Sequence, residues 1–187
     1  MALSNDINDK KWSVLESDYV LNTPWITVRK DKIQQPQGTI VDDFYVLEYP
    51  NWITVIAITE DGHYVMERQY RHGIMATCYE LCGGAVDDGE DPVETAKREL
   101  LEETGFSGGI WSYYMTSSPN PAAMTNVCHT YIAYGVKRVA EQKLENTEDI
   151  DVCLLTRDEL LDVMNKGLIS QGDMLAPLWR WMYENKN

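Results

Sequence analysis

Residues 84–106 constrain this chain more than any other stretch. They read G-x5-E-x7-R-E-U-x-E-E-x-G-U, with U apolar, from Gly84 through Glu90, Arg98, Glu99, Glu102 and Glu103 to Gly105 and Phe106. The pattern encloses one short helix. Asp91 is a good N-cap, Pro92 suits the first helical position, and Glu94 completes an Asp-x-x-Glu capping box. Gly105 is placed to stop the helix in a left-handed conformation. The helix should therefore span about residues 92–104, with Val93, Ala96 and Leu100 as its buried stripe.

The carboxylates lie off that stripe. Glu99 and Glu103 are four residues apart and share a face, Glu102 flanks them, and Glu90 can fold back from the preceding loop. Like charges at helical spacing repel by roughly 0.2–0.5 kcal/mol per pair. Hard oxygen donors suit Mg²⁺ or Mn²⁺, and a bound cation would reverse the repulsion. Arg98, beside Glu99 and four residues from both Glu94 and Glu102, has a planar fork able to fix a carboxylate. The competing reading is a solvated acidic helix face, since Asp and Glu fill 30 of 187 positions. Gly84, Glu90, Arg98 and Gly105, all in place, favour the metal site.

This pattern resembles the Nudix box, the signature of the Nudix hydrolases, which use divalent cations to cleave a diphosphate linked to another moiety. The resemblance spans about residues 40–165 and implies an α/β fold, an α/β/α sandwich around a mixed sheet. It implies Mg²⁺ (or Mn²⁺) bound by Glu99, Glu102, Glu103 and the Gly83 carbonyl. Arg98 would orient carboxylates, and Glu90 would support the site or join it when more cations bind. Upstream, Arg68-Gln69-Tyr70-Arg71 resembles the R-Q-x-R segment of the ADP-ribose pyrophosphatase subgroup, so Arg71 becomes the expected phosphate or ribose contact. A strand end with solvated charges is the alternative.

Residues 79–84 resemble that subgroup's E-L-P-x-G lead-in, with Cys82 in place of Pro and Gly83 in place of the usual Ala. Glu80 would hold a ribose or an arginine, or be a simple strand residue. Pro121, sixteen residues after Gly105, fits the subgroup, but Asn120 replaces its glycine and the loop through Asn126 holds no acidic residue. Several relatives keep a catalytic Glu in that loop, so Glu141, Glu145 or Glu148 would substitute as general base. Trp25 would stack on an adenine or pack in a core or interface. The implied substrate is a small nucleotide sugar such as ADP-ribose. A Nudix-fold sensor without catalysis, or a prenyl diphosphate isomerase, would need lost carboxylates or a Cys/His arrangement not evident here.

The charge of −14 opposes binding to nucleic acid and to anionic membranes. No apolar run is long enough to cross a bilayer, and the polar first ten residues lack a signal-peptide core, which points to the cytoplasm. Cys78, Cys82, Cys128 and Cys153 form no CxxC pair and no zinc-finger set. Buried reduced thiols are expected, with metal binding or a disulfide as alternatives. His63, His72 and His129 should be structural or exposed.

Along the chain, residues 12–16, 26–33 and 44–48 read as strands of a small antiparallel β unit, residues 1–49, ahead of the main domain, residues 50–187. Residues 12–49, rich in aromatic and β-branched side chains, are too short to bury their own core; together with the habit of the subgroup this implies a homodimer joined partly by that unit. Residues 52–59 and 64–70 read as a hairpin through Asp61-Gly62. Strands follow at 79–82, 110–115, 127–136 and 150–155, with a Gly83-Gly84 turn and a loop at 116–126. Helices should cover 157–166 and a stretch ending near Tyr183, where Pro177 makes either a kink or a first turn.

Overall fold

The computed structural model describes residues 10–24 and 26–186; Trp25 lies outside the described residues. The chain divides into two compact units. In the first, strands β1 (Ser13–Asn22), β2 (Thr27–Gln34) and β3 (Ile40–Glu48) form an antiparallel sheet in that order. Gln35 and Gly38 close the β2–β3 turn, where the Gly38 N–H donates to the Gln35 carbonyl at 2.8 Å. Asn120–Asn126 belongs to this unit. It extends β3 through Leu47, whose N–H donates to Ala123 at 2.7 Å and whose carbonyl accepts from Thr125 at 3.1 Å.

Strand β1 is longer than its apolar pattern suggested. Ser17 and Asp18 break the alternation, yet the ladder to β2 carries the strand on to Asn22. All of β1 is solvent-exposed.

In β2 only Asp31 and Ile33 are buried. The Asp31 carboxylate accepts from Arg29 Nε at 2.9 Å and Nη2 at 3.0 Å, and from the Ser17 hydroxyl at 2.6 Å. Arg29 also pairs with Glu48. The Arg29 hydrogen bonds, opposed by burial, hold the Asp31 carboxyl below the usual aspartate range.

The second unit contains β4 (Trp52–Thr59), β5 (Tyr64–Arg71), β6 (Ala76–Glu80), β7 (Cys82–Ala85), α1 (Pro92–Thr104), β8 (Phe106–Ser107), β9 (Ile110–Ser117), β10 (Cys128–Arg138), β11 (Ile150–Leu155), α2 (Arg157–Asn165) and α3 (Gly172–Glu184). Its mixed sheet follows β11-β5-β4-β10-β8, with β6 on β5, β7 on β4 and β9 on β10. Among the described residues, the β4–β10 pairing is the one parallel pairing in this sheet. β4 is apolar on both faces, as a central covered strand must be. Ile53, Val55 and Ala57 pack with Ala96 and Leu100 of α1. Ile56 and Ile58 pack with Leu160 and Val163 of α2 and with Met174 and Leu178 of α3. Helices on both sheet faces give the α/β/α sandwich that the Nudix resemblance implied.

Several local expectations change. Gly83-Gly84 is not a turn: it lies within β7, paired with Ile53 and Thr54 of β4. β9 runs to Ser117, so the loop starts later. Pro177 sits inside α3 and is buried, so packing of the apolar face outweighs one missing backbone donor. Asp91 caps α1 through the Val93 N–H, but Glu94 turns to Lys97 at 2.7 Å instead of closing a capping box. The reciprocal box occurs at α2, between Thr156 and Glu159.

Because the folded state depresses the Asp31 pKa, its contribution is complete above the ordinary aspartate value of about 3.9 and is lost as pH falls through the lower folded value. Asp31→Asn should destabilise the protein by about 1–3 kcal/mol at neutral pH. Denaturant melts from neutral pH to below that value should show the gap to wild type closing. A gap that stays constant with pH would refute the assignment.

Candidate active site

Helix α1 lies directly against strand β7, and that proximity assembles the site. A Cβ added at Gly84 would meet Glu99 Oε1 and Cδ, both at 2.6 Å. Glycine there lets the Glu99 carboxylate rest on the strand backbone. One residue earlier, the Gly83 N–H donates to Glu103 Oε2 at 3.2 Å. At the far end of the helix Gly105 adopts φ +75°, and a Cβ there would collide with the Ala140 carbonyl oxygen. Glycine is thus required both for the left-handed turn and for the close passage of the chain beneath it.

Arg98 ties the carboxylates together. Its guanidinium donates to Glu90 at 3.1 and 3.3 Å, to Glu99 at 2.9 Å and to Glu102 at 3.3 Å. Glu94, four residues before Arg98, is not among these partners and pairs with Lys97. Glu90 is held in turn by the Thr95 hydroxyl at 2.8 Å. The Arg98 hydrogen bonds pull the Glu90 carboxyl down, and Glu90 is the chief cause of the raised Arg98 pKa. Burial, outweighing Arg98, pushes the Glu99 carboxyl up. Burial likewise pushes Glu103 up to about 7.

Glu99, Glu102 and Glu103 line one cavity of about 260 Å³ with Gly83, Gly84, Arg98, Glu145 and Glu148. Glu90 stands behind Arg98 and does not line it. Of the three substitute bases, Glu145 and Glu148 reach this cavity. Glu141 does not: it is exposed and pairs with Arg138 at 2.9 Å. Carboxylates outnumber the two cations at this wall, Arg98 and Lys143, and Glu103 is buried. This donor set, hard oxygens with excess negative charge at the wall of a cavity, fits divalent cations.

A second cavity of about 200 Å³ shares Gly83, Gly84 and Ala85 with the first and extends to Arg71, Gln171 and Asp173. Arg71 donates through Nε to both Glu80 oxygens, at 2.8 and 3.0 Å, and through Nη2 to Oε2. Gln69 adds a contact to Glu80 at 3.2 Å. Glu80 is fully buried, so it holds the arginine rather than meeting solvent. The Glu80 hydrogen bonds raise the Arg71 pKa.

Three site features escaped the sequence reading. Gln171 and Asp173 come from the start of α3, distant in sequence, and burial pushes the Asp173 carboxyl up. Glu67 is buried beside Glu103 and Cys82. Strand parity carried a signal for it: Val65 packs with the α1-facing core, and position 67 must face the same way.

The chain belongs to the NUDIX family. Residues 49–176 match the NUDIX domain, and residues 12–47 match the nucleoside diphosphate sugar hydrolase N-terminal domain. Among its relatives is the methanol dehydrogenase activator of Bacillus methanolicus, 28% identical over 83% of this chain and 84% of that protein. Another is the ADP-ribose pyrophosphatase of Bacillus subtilis (strain 168), 29% identical over 64% of this chain and 65% of that protein, just under two thirds of its length. A crystal structure of an ADP compounds hydrolase has the same fold, with a TM-score of 0.79 at 18% identity, covering 93% of this chain and 95% of that one. The protein is a Nudix hydrolase with every specified box position filled.

Gly84→Ala tests the packing of helix on strand. The atoms a Cβ would meet are the mobile end of Glu99, so the fold should survive while the carboxylate swings away. The expected result is a near-native thermal melt with Mn²⁺ binding weakened about ten- to hundred-fold, measured by calorimetric titration. Unchanged affinity would show that the position of Glu99 is immaterial.

Proposed function

We propose that this Nudix hydrolase cleaves the diphosphate of a nucleoside diphosphate sugar, with ADP-ribose as reference substrate and AMP and ribose 5-phosphate as products. The observation that carries this reading is the position of Arg71. Clamped by buried Glu80, it faces a cavity that shares the β7 backbone with the carboxylate cavity. A diphosphate lying across β7 would reach both. The match of residues 12–47 to a nucleoside diphosphate sugar hydrolase N-terminal domain and the names of the relatives point the same way.

Glu99, Glu102, Glu103 and the Gly83 carbonyl would hold Mg²⁺ or Mn²⁺. When bound, the cation supplies charge neutralisation at the phosphate oxygens and makes water more acidic. Arg98 keeps Glu99 and Glu102 oriented, while Glu90 and Thr95 keep Arg98 in place. Arg71 offers its remaining N–H groups to a phosphate or ribose oxygen. Glu145 or Glu148, at the wall of the cavity, would take a proton from the attacking water. The non-catalytic sensor reading loses ground because no carboxylate of the box is missing.

Four free cysteines suit the reducing cytoplasm, where we place the protein. Among the described residues no helix is long and apolar enough to cross a membrane. We also take the protein to be a homodimer joined through its N-terminal unit. Val14, Tyr19, Val20, Ile40 and Tyr45 leave apolar surface exposed on β1 and β3, and contiguous exposed apolar surface marks interaction sites. Light scattering across micromolar concentrations should give twice the chain mass; a monomer would end that part of the reading.

The substrate assignment is tested by turnover with Mg²⁺ on a panel of nucleotide sugars, deoxynucleoside triphosphates and dinucleoside polyphosphates, with products identified. ADP-ribose or a related sugar should give the highest kcat/KM. Excess chelator should abolish the reaction, and Glu99→Gln should lower it by orders of magnitude. Arg71→Lys keeps a charge opposite buried Glu80 but loses the fork. Losing one or two charge-assisted hydrogen bonds, each about 1.5–3 kcal/mol, should raise KM at least tenfold with a smaller change in kcat. Triphosphates outperforming every nucleotide sugar would overturn the assignment.

A further inference from the structure

We infer that Glu67, Cys82 and Glu103 form a buried inner cation site, suited to a borderline metal such as Zn²⁺ or Co²⁺ rather than to Mg²⁺. The three side chains come from β5, β7 and the last turn of α1, and each offers a ligand atom within 4.8 Å of the other two. Their residues are 1%, 0% and 5% exposed. The cluster therefore sits beneath the carboxylate cavity, on the core side of β7, and only Glu103 belongs to both.

An independent observation points to a ligand there. Glu67 Oε1 is completely buried and has no hydrogen-bond partner. Buried carboxylate oxygens in folded proteins are almost always paired with a donor or a cation. The nearby guanidinium of Arg71 does not fill the role, because its hydrogen bonds go to Glu80. Position 67 faces the α1 side of the sheet, where Val65 is packed in apolar core. A carboxylate at such a position, aimed at a thiol and a second carboxylate, is poorly explained by packing.

The donor set selects the occupant. Mg²⁺ takes hard oxygen ligands in near-octahedral geometry and retains waters, whereas a thiolate with two carboxylates suits Zn²⁺ or Co²⁺. Three protein ligands leave one tetrahedral position open. Binding replaces the Cys82 thiol proton, and any proton shared between the two carboxylates, and releases these to solvent. Occupancy also engages Glu103, so a thiophilic cation should compete with the Mg²⁺-dependent reaction. This inference rests on the catalytic reading only through Glu103, and its test separates the two.

Metal-free protein is titrated with Co²⁺ and followed by absorption. The expected result is a thiolate-to-cobalt charge-transfer band in the near ultraviolet, with tetrahedral absorption in the visible, saturating at one cobalt per chain and removed by Zn²⁺. Cys82→Ser should abolish the charge-transfer band, and Cys153→Ser should leave it. Glu67→Gln keeps the side-chain shape and should weaken Co²⁺ binding about ten- to hundred-fold. Circular dichroism checks each variant; should Cys82→Ser fail to fold, Glu67→Gln with Cys153→Ser decides. In the Mg²⁺ assay, low Zn²⁺ should inhibit wild type more strongly than Glu67→Gln.

A wild type without the band, or a band that Glu67→Gln or Cys82→Ser leaves unchanged, would overturn the site and favour a proton shared by Glu67 and Glu103. Glu99→Gln separates the two readings. If it is inactive while wild type shows no band, the inner site fails and the box stands. If it keeps full Mg²⁺ turnover while the band is present, the box reading fails and the inner site stands.

Discussion

Everything at the site depends on how closely helix α1 approaches strand β7. Glu99 lies where a side chain at Gly84 would be, and Glu103 takes a hydrogen bond from the Gly83 N–H. A wider separation would release both carboxylates into solvent, where their mutual repulsion would drive them apart. The approach is secured from the other side by Ala96 and Leu100, buried among Ile53, Val55 and Ala57 of β4. Apolar packing sets the distance, and glycine makes the distance usable.

At that distance charge becomes the organising force. Arg98 contacts three glutamates and gives them fixed orientations. Glu80 does the reverse service for Arg71, a buried anion holding a half-exposed cation. Both pairings restrict long side chains before any ligand arrives, which reduces the ordering cost of binding. Glu103 and Glu67 lie beyond reach of such pairing. Their burial raises the energy of the charged form, and the same burial strengthens attraction to any cation that enters.

The sheet supplies the stage through its pairing rather than through its surface chemistry. Because β7 pairs with β4 as a strand, its three small residues form one continuous wall. Two cavities open on that wall, one lined by the box glutamates and one by Arg71 and the start of α3. The Gly-rich segment would have lost that role as a turn. In the N-terminal unit the logic differs: its sheet leaves β1 exposed and buries the Asp31 carboxylate, held by Arg29 and Ser17.

The sequence by itself determined helix α1 almost to the residue, because its limits are written in local chemistry. Asp91 and Pro92 start it, Gly105 ends it, and the stripe of Ala96 and Leu100 fixes its buried face. Helical periodicity then places Glu99, Glu102 and Glu103 without reference to the rest of the chain. The architecture was legible only in part: the apolar runs of β4 and β10 mark covered strands, but the α/β/α sandwich around a mixed sheet came from the resemblance of the box and not from periodicity. Only the tertiary structure decided where the charges without local partners go. Glu94 and Glu141 took partners three residues away, Lys97 and Arg138, whereas Glu80 turned to Arg71 because the β5–β6 register brought that partner in. For the same reason Glu67, Cys82 and Glu103 met beneath β7, and Gln171 and Asp173 joined a cavity formed by segments a hundred residues away. Local propensity is short-ranged; burial and electrostatic pairing are properties of the assembled fold.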